Sequence, residues 1–155
     1  MSTISRDEIL IRPSNSSDMP FIYSSWLKTY KFSSPFTKRI KSSIFFQKHH
    51  DLIEDAVNRG MEIFVACPKD GEETIIGYMA IERDKNAINF VYIKDPFRGF
   101  GIARLLYEES QLEPGEVFFT HWCYSLDAEI DKSGFIYNPY LFFFKVTHGK
   151  RNKIR

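Results

Sequence analysis

Residues 95–109 read "DPFRGFGIARLLYEE". Before them "AINFVYI" (87–93) has the branched and aromatic character of a strand; within them Ile102, Leu105 and Leu106 share one face of a helix. Two glycines and an arginine therefore sit at a strand-to-helix junction. The first turn of a helix offers unpaired N–H groups and the positive end of the helix dipole, so such a junction suits an anion and above all a phosphate. Gly99 and Gly101 lack the β-carbons that would hold an anion off the backbone. The plainer alternative is that they only make a tight turn.

Upstream of the junction, "MEIFVAC", "TIIGYMAIE" and "AINFVYI" follow in close order, the first two joined by a turn holding Asp70-Gly71 and the last two by "RDKN". This predicts a meander of antiparallel strands. Leu52, Ile53, Ala56 and Val57 recur at helical spacing, with Gly60 where a left-handed cap is wanted. "EILIRP" reads as a first strand stopped by Pro13; after it Ser17 or Asp18 can cap a helix carrying Met19, Ile22, Tyr23, Trp26 and Leu27 on one face. The stretch from Lys31 to Ser43 predicts a loop or a short helix. Downstream, "VFFTHW" reads as a strand, "SLDAEIDKSG" as a short helix closed by Gly134, and "FIYNPYLFFFKV" as one or two aromatic strands around Asn138-Pro139. The order predicts an α/β (α+β) fold: a mixed, mostly antiparallel sheet of about six to seven strands flanked by about four helices.

The chain has 155 residues, 43% of them apolar, enough for one domain with a substantial core over 1–155. Its net charge is +1, from 21 basic and 20 acidic side chains, so no global field commits it to nucleic acid or an anionic membrane. Lys28, Lys31, Lys38, Arg39, Lys41 and Lys48 nevertheless form a stretch without an acid, and a basic tail occupies about 147–155. Cys67 and Cys123 stand far apart in apolar company and read as core thiols. No apolar run approaches the roughly 20 residues of a membrane span. A soluble cytoplasmic protein without a membrane partner is expected.

Two familiar phosphate loops fail against the letters. A dinucleotide Gly-x-Gly-x-x-Gly needs glycine where Arg104 stands, and a triphosphate loop needs a Gly-Lys-Ser/Thr that is absent. Arg98-x-x-Gly101-x-Ala103, after a strand and opening a helix, resembles the Arg/Gln-x-x-Gly-x-Gly/Ala signature of the GNAT superfamily of acyl-CoA N-acyltransferases. "VYIKDPFRGFGIARLLYE" (91–108) is similar to that family's central strand, turn and CoA-binding helix, with Pro96 one place later than usual; the likeness of element order extends over about residues 8–145. The resemblance implies acetyl-CoA as co-substrate and no metal. It places the diphosphate on the amides of Gly99, Phe100, Gly101, Ile102, Ala103 and Arg104, with the Arg98 side chain beside the turn. The thiol-bearing arm would pair with Val91, Tyr92 and Ile93, as an added strand does at a sheet edge.

The implied reaction is direct attack of an acceptor amine on the thioester, and no Gly-x-Ser-x-Gly elbow argues for a covalent intermediate. A lysine-like amine has a pKa of about 10.4, so neutralising it at pH 7 costs roughly 4 to 5 kcal/mol unless a base or a desolvating pocket helps. The N–H of Ile93 or Tyr92 is positioned for the oxyanion. The chain departs from the family where acid and base are concerned. Ala87 and Asn89 stand where some members carry a glutamate, Ile130 where others carry a tyrosine, and Cys123 where an asparagine is frequent. The catalytic candidates that remain are His121, whose side chain titrates in the right range, and Tyr124 as an acid; Glu82, beside Arg83 and Asp84, reads as a solvated strand end. "THWC" with Asp127 lacks an oxyanion motif for a hydrolase, and His49, His50, His121 and Cys123 do not have zinc spacing.

Three functions compete. The first is an N-acetyltransferase acting on an amine-bearing small molecule or protein, with the basic segment 28–48 at the acceptor entrance. The second, motivated by the missing glutamate and tyrosine, is a protein that binds acyl-CoA or a macromolecular partner without turnover. The third uses the basic loop and tail for nucleic acid, which the near-zero net charge disfavours. Exposed sheet edges would also permit a homodimer.

Overall fold

The computed structural model describes residues 4–123 and 134–143. Among them, six strands form one sheet in the order β1 (Ile9–Pro13), β2 (Glu62–Pro68), β3 (Gly77–Glu82), β4 (Ala87–Ile93), β5 (Phe118–Phe119) and β6 (Ile136–Tyr137). Neighbours from β1 to β4 are antiparallel, whereas β4–β5 and β5–β6 are parallel. Four helices accompany them: α1 (Met19–Ser33), α2 (Ser42–Asn58), α3 (Ile102–Ser110) and a single turn, α4 (Tyr140–Phe143).

The sheet is covered on both faces, which is why all six residues of β3 are buried. Tyr78 and Ala80 of β3 pack towards α1 and α2, against Ile22, Trp26, Phe45 and Ile53. Met79 and Ile81 turn to the opposite face with Ile102 and Leu106 of α3. In each long helix the buried stripe recurs every four residues: Ile22, Trp26 and Tyr30 in α1, Phe45, His49 and Ile53 in α2, Ile102, Leu106 and Ser110 in α3.

Several sequence expectations change. The stretch 31–43 is a loop at its centre, as expected, but helical at both ends: α1 runs on to Ser33 and α2 begins at Ser42, well before its most periodic part. Lys31, one of the basic stretch, is buried, its ammonium donating to the carbonyls of Thr37 and Lys38 (2.9 and 3.1 Å), and the Thr37 hydroxyl donates back to the carbonyls of Tyr30 and Lys31. These bonds satisfy the last carbonyls of α1 and lock the connection. Strand β5 is only two residues long, and the aromatic run after Gly134 gives one two-residue strand and then α4. Asn138 is the reason: its side chain accepts the N–H of Tyr140 and its carbonyl that of Leu141, while Pro139 presets the first turn. The short helix expected at 125–133, Tyr124, Asp127, Ile130 and the tail 147–155 lie outside the described residues. No helix among the described residues is long and apolar enough to cross a membrane.

Candidate active site

The turn after β4 is built to leave amides open. A 3₁₀ turn at Asp95–Phe97 leads to Gly99 and Gly101, whose φ of 86° and 80° lies where side chains are strained. The carbonyl of Gly101 accepts the N–H of Leu105 (3.0 Å), so the amides of Ile102, Ala103 and Arg104 precede the first rung of the α3 ladder. The Arg98 guanidinium straps the turn, pairing with Asp95 at 2.8 Å and donating Nε–H to the carbonyl of Ile93 at 2.8 Å. Except for Phe100, every residue the sequence singled out from Val91 to Ile93 and from Arg98 to Arg104 lines one cavity of about 370 Å³. Thr29 of α1 and Phe97 complete its wall, and nothing in the local sequence pointed to either.

One extra residue opens the strand edge beside this cavity. Ala80 pairs with Phe90 but Ile81 with Ile88, so Asn89 is an unmatched bulge in β4. Before the bulge the even-numbered carbonyls face β5: Asn86 accepts from Phe118 and Ile88 from Thr120, both at 3.1 Å. After it the alternation is reversed. Lys94 donates to Ile76 (2.9 Å), and residues two apart on a strand bond to the same side, so Tyr92 also turns to β3. A β-carbon on Gly77 would lie only 2.6 Å from the Tyr92 carbonyl oxygen, which independently places that oxygen on the β3 side. The N–H and C=O of Val91 and Ile93 therefore face the edge that β5, paired only at Ala87 and Ile88, has left. Arg98 already occupies the Ile93 carbonyl. Of the two oxyanion donors considered, the Tyr92 N–H belongs to the sheet and the Ile93 N–H faces the gap.

A second cavity, of about 590 Å³, lies between α3 and the diverging β4 and β5. It shares Val91, Ala103 and Arg104 with the first, so amide-lined turn, open strand edge and deep cavity form one continuous groove. His121 lines it, as does Asn89.

His121 is held in a chain of buried hydrogen bonds that fixes its tautomer. The Glu82 carboxylate accepts from Asn89 Nδ2 (2.9 Å), Asn89 Oδ1 accepts the Thr120 hydroxyl (2.9 Å), and Thr120 Oγ1 lies 2.8 Å from His121 Nδ1. A hydroxyl that donates to Asn89 has only lone pairs left for His121, so Nδ1 carries the proton. Nε2 of His121 must then accept from Nε2 of His49, 2.9 Å away. Both nitrogens of His121 are engaged, and a base role for it requires His49 to let go. Burial, then the neighbouring His49, holds its pKa well below the ordinary value; burial alone pushes His49 down to about 4. Tyr30, Phe45, Phe142 and Trp26 box the pair.

Glu82 is not a solvated strand end. It is buried, paired with Arg59 through two bonds (2.8 and 2.7 Å) and with Lys85 at 2.9 Å. Burial raises its pKa, but the hydrogen bonds from Arg59, Asn89 and Lys85 outweigh this and leave it lowered. A lone asparagine in the apolar run "AINFVYI" was the one signal of this network in the sequence.

A four-stranded antiparallel meander, a bulged central strand, a parallel neighbour that splays from it and a glycine turn opening a helix at that splay are now all in place. The fold is GNAT-like. No protein-family model and no curated protein matches the chain. Solved structures similar to this chain include a possible acetyltransferase from Clostridium difficile 630 (15% identity, TM-score 0.45, covering 94% of this chain and 84% of that one). A GCN5-related N-acetyltransferase from Rhodopseudomonas palustris is similar at 11% identity and TM-score 0.49, over 71% and 68% of the two chains. A GNAT family N-acetyltransferase from Escherichia coli, solved in complex with CoA, is similar at 22% and 0.42, over 71% and 58%.

The residues of this groove suit a diphosphate with an amide-bearing arm. Three helix-start amides and the exposed Arg104 guanidinium offer N–H donors and positive charge, and nothing stands within 4 Å of where a β-carbon of Gly99 or Gly101 would be. Away from the groove, His50, Asp51 and Glu54 bring ligand-type atoms within 4.8 Å of one another on α2, a grouping the sequence spacing did not suggest.

Proposed function

We propose that the protein is an acetyl-CoA-dependent N-acetyltransferase that transfers the acetyl group to an amine by direct attack in a ternary complex. The observation that carries this reading is the continuity of the groove, from the amides of Ile102 to Arg104, past the unpaired edge of Val91, into the cavity between β4 and β5. Acetyl-CoA, when bound, supplies an activated thioester. The chain's part is to hold the diphosphate with the turn amides and Arg104, to align the arm's amides on the Val91 backbone, and to offer the Ile93 N–H to developing negative charge. The acceptor is an amine-bearing small molecule or protein. The exposed cations Lys38, Arg39 and Lys41 between α1 and α2 would favour one with acidic groups nearby.

A second reading, binding of acyl-CoA without turnover, is favoured by one observation: the best-placed titratable group, His121, has no lone pair to spare. Calorimetric titration with acetyl-CoA tests what the two share, and thiol release with a panel of amines separates them. Tight binding with amine-dependent thiol release supports transfer; binding with no release from any amine supports the second reading. Absence of any binding by acetyl-CoA defeats both.

A further inference from the structure

The cavity under α3 is larger and more apolar than an acetyl group requires. An enclosed apolar void of roughly 150 Å³ already holds a benzene; this cavity, half open to solvent, is about 590 Å³. Its walls are Met79, Ile88, Val91, Val117, Phe119 and Phe135. Its charged side chains, Arg104 and Glu108, are exposed at the rim, whereas Asn89 and His121 are buried with their side-chain polar atoms committed to Glu82, Thr120 and His49. An amide-bearing arm finds its partners on the Val91 edge, and the half-buried Tyr107 supplies the remaining polar side-chain group of the lining. An alkyl chain fits the apolar walls, because it asks for no hydrogen bond and gains from every apolar contact.

Resting on the acyl-CoA reading above, we infer that this cavity receives the acyl chain of the donor, and that the preferred donor is a medium-chain acyl-CoA rather than acetyl-CoA. The transfer is otherwise the same. A bond forms between the amine nitrogen and the acyl carbon, the carbon–sulfur bond breaks with its electron pair leaving on sulfur, and the amine's proton ends on solvent or on the departing thiolate. The splay of β4 from β5 thus serves twice, exposing an edge for the arm and opening a space for what the arm carries.

The test is a calorimetric series on the full chain with CoA, acetyl-CoA, butyryl-CoA and octanoyl-CoA, which needs no acceptor amine and no turnover. Affinity is expected to climb with length, by up to about fourfold for each buried methylene, so that octanoyl-CoA binds roughly a hundredfold or more tighter than acetyl-CoA. Val117→Phe, which places a ring in the cavity, is expected to shrink the ratio of the two affinities. Should that variant fail to fold, the wild-type series decides alone. Acetyl-CoA binding as tightly as octanoyl-CoA overturns the inference and leaves the acetyl-transfer reading standing. If neither CoA nor any thioester binds, the acyl-CoA reading itself falls and takes this inference with it.

Discussion

The two faces of the sheet are built for opposite ends. Beneath α1 and α2 the space is filled: Trp26 stacks on Phe90 at 4.9 Å, Phe45 on His49 at 5.0 Å, and a run of hydrogen bonds crosses the interior from His49 to Glu82. Beneath α3 the same sheet borders a cavity of about 590 Å³. The difference teaches how the hollow face stays open. Asn89 belongs to both: it is the bulged residue that turns β4 away from β5, and its side chain is anchored by Glu82 and Thr120 in the filled face. Close packing on one side holds the distortion that makes a groove on the other.

The largest effect should come from cutting that anchor. Glu82→Ala leaves Arg59 and Lys85 without their shared buried carboxylate and Asn89 without its acceptor. The expected loss is about 3–5 kcal/mol, the usual result of removing one partner from a buried pair. On the α3 side, Glu108→Ala removes only a solvent-exposed pair with Arg6 and should cost less than about 1 kcal/mol. Urea unfolding of the two variants checks the contrast. Equal losses would mean the faces are not energetically distinct and that the network is ornamental.

Much of the hollow face was legible in the sequence and little of the filled one. Gly99 and Gly101 announce themselves because only glycine sits easily at positive φ, and the strand before and helix after have clear periods. The Asp70-Gly71 turn likewise gives away the β2–β3 hairpin. By contrast, Glu82 beside Arg83 and Asp84 looks solvated because its partner, Arg59, is distant in sequence. The Asn89 bulge shifts register by one residue, which no pattern of apolar letters reveals. The run "FIYNPYLFFF" satisfies both periods at once, and the choice of helix after Asn138 depended on one side-chain cap.

Acid should weaken the filled face before the hollow one. An unfolded histidine takes up a proton near its ordinary pKa of 6.5, whereas His49 in the folded protein resists until about 4. A depressed histidine pKa means its share of stability is whole above pH 6.5 and drains away as pH falls towards 4, on the order of 3 kcal/mol. His121, shifted in the same direction, adds to the slope. His49→Gln keeps a donor for His121 Nε2 but cannot titrate, so its stability curve between pH 6.5 and 4 should be flatter than the wild type's. Parallel curves would show that the pair does not govern acid sensitivity.

Gly77→Ala probes the seam between the faces. Its new methyl would meet the Tyr92 carbonyl oxygen at 2.6 Å and the Ile93 side chain at 2.7 Å, in a strand covered on both sides. A cost of about 1–3 kcal/mol is expected for such overpacking. Because β4 must move to relieve it, acetyl-CoA affinity should fall as well. Loss of stability with unchanged affinity would separate the open edge from the register of β3 and β4.

The smallest change in stability should accompany a clear change in binding at Arg104. This exposed residue stands in the first turn of α3 and lines both cavities. Arg104→Glu exchanges a cation for an anion where the helix dipole favours the anion, so the fold should keep its stability within about 0.5 kcal/mol or gain slightly. The same exchange sets a negative charge beside the amides assigned to the diphosphate. It should weaken acetyl-CoA by roughly tenfold to a hundredfold, with the loss shrinking as salt is raised. A variant as stable as the wild type that still binds acetyl-CoA equally well would move the diphosphate away from this turn. The α3 face would then be hollow for some other ligand, and the division between a face that holds and a face that binds would have to be drawn elsewhere.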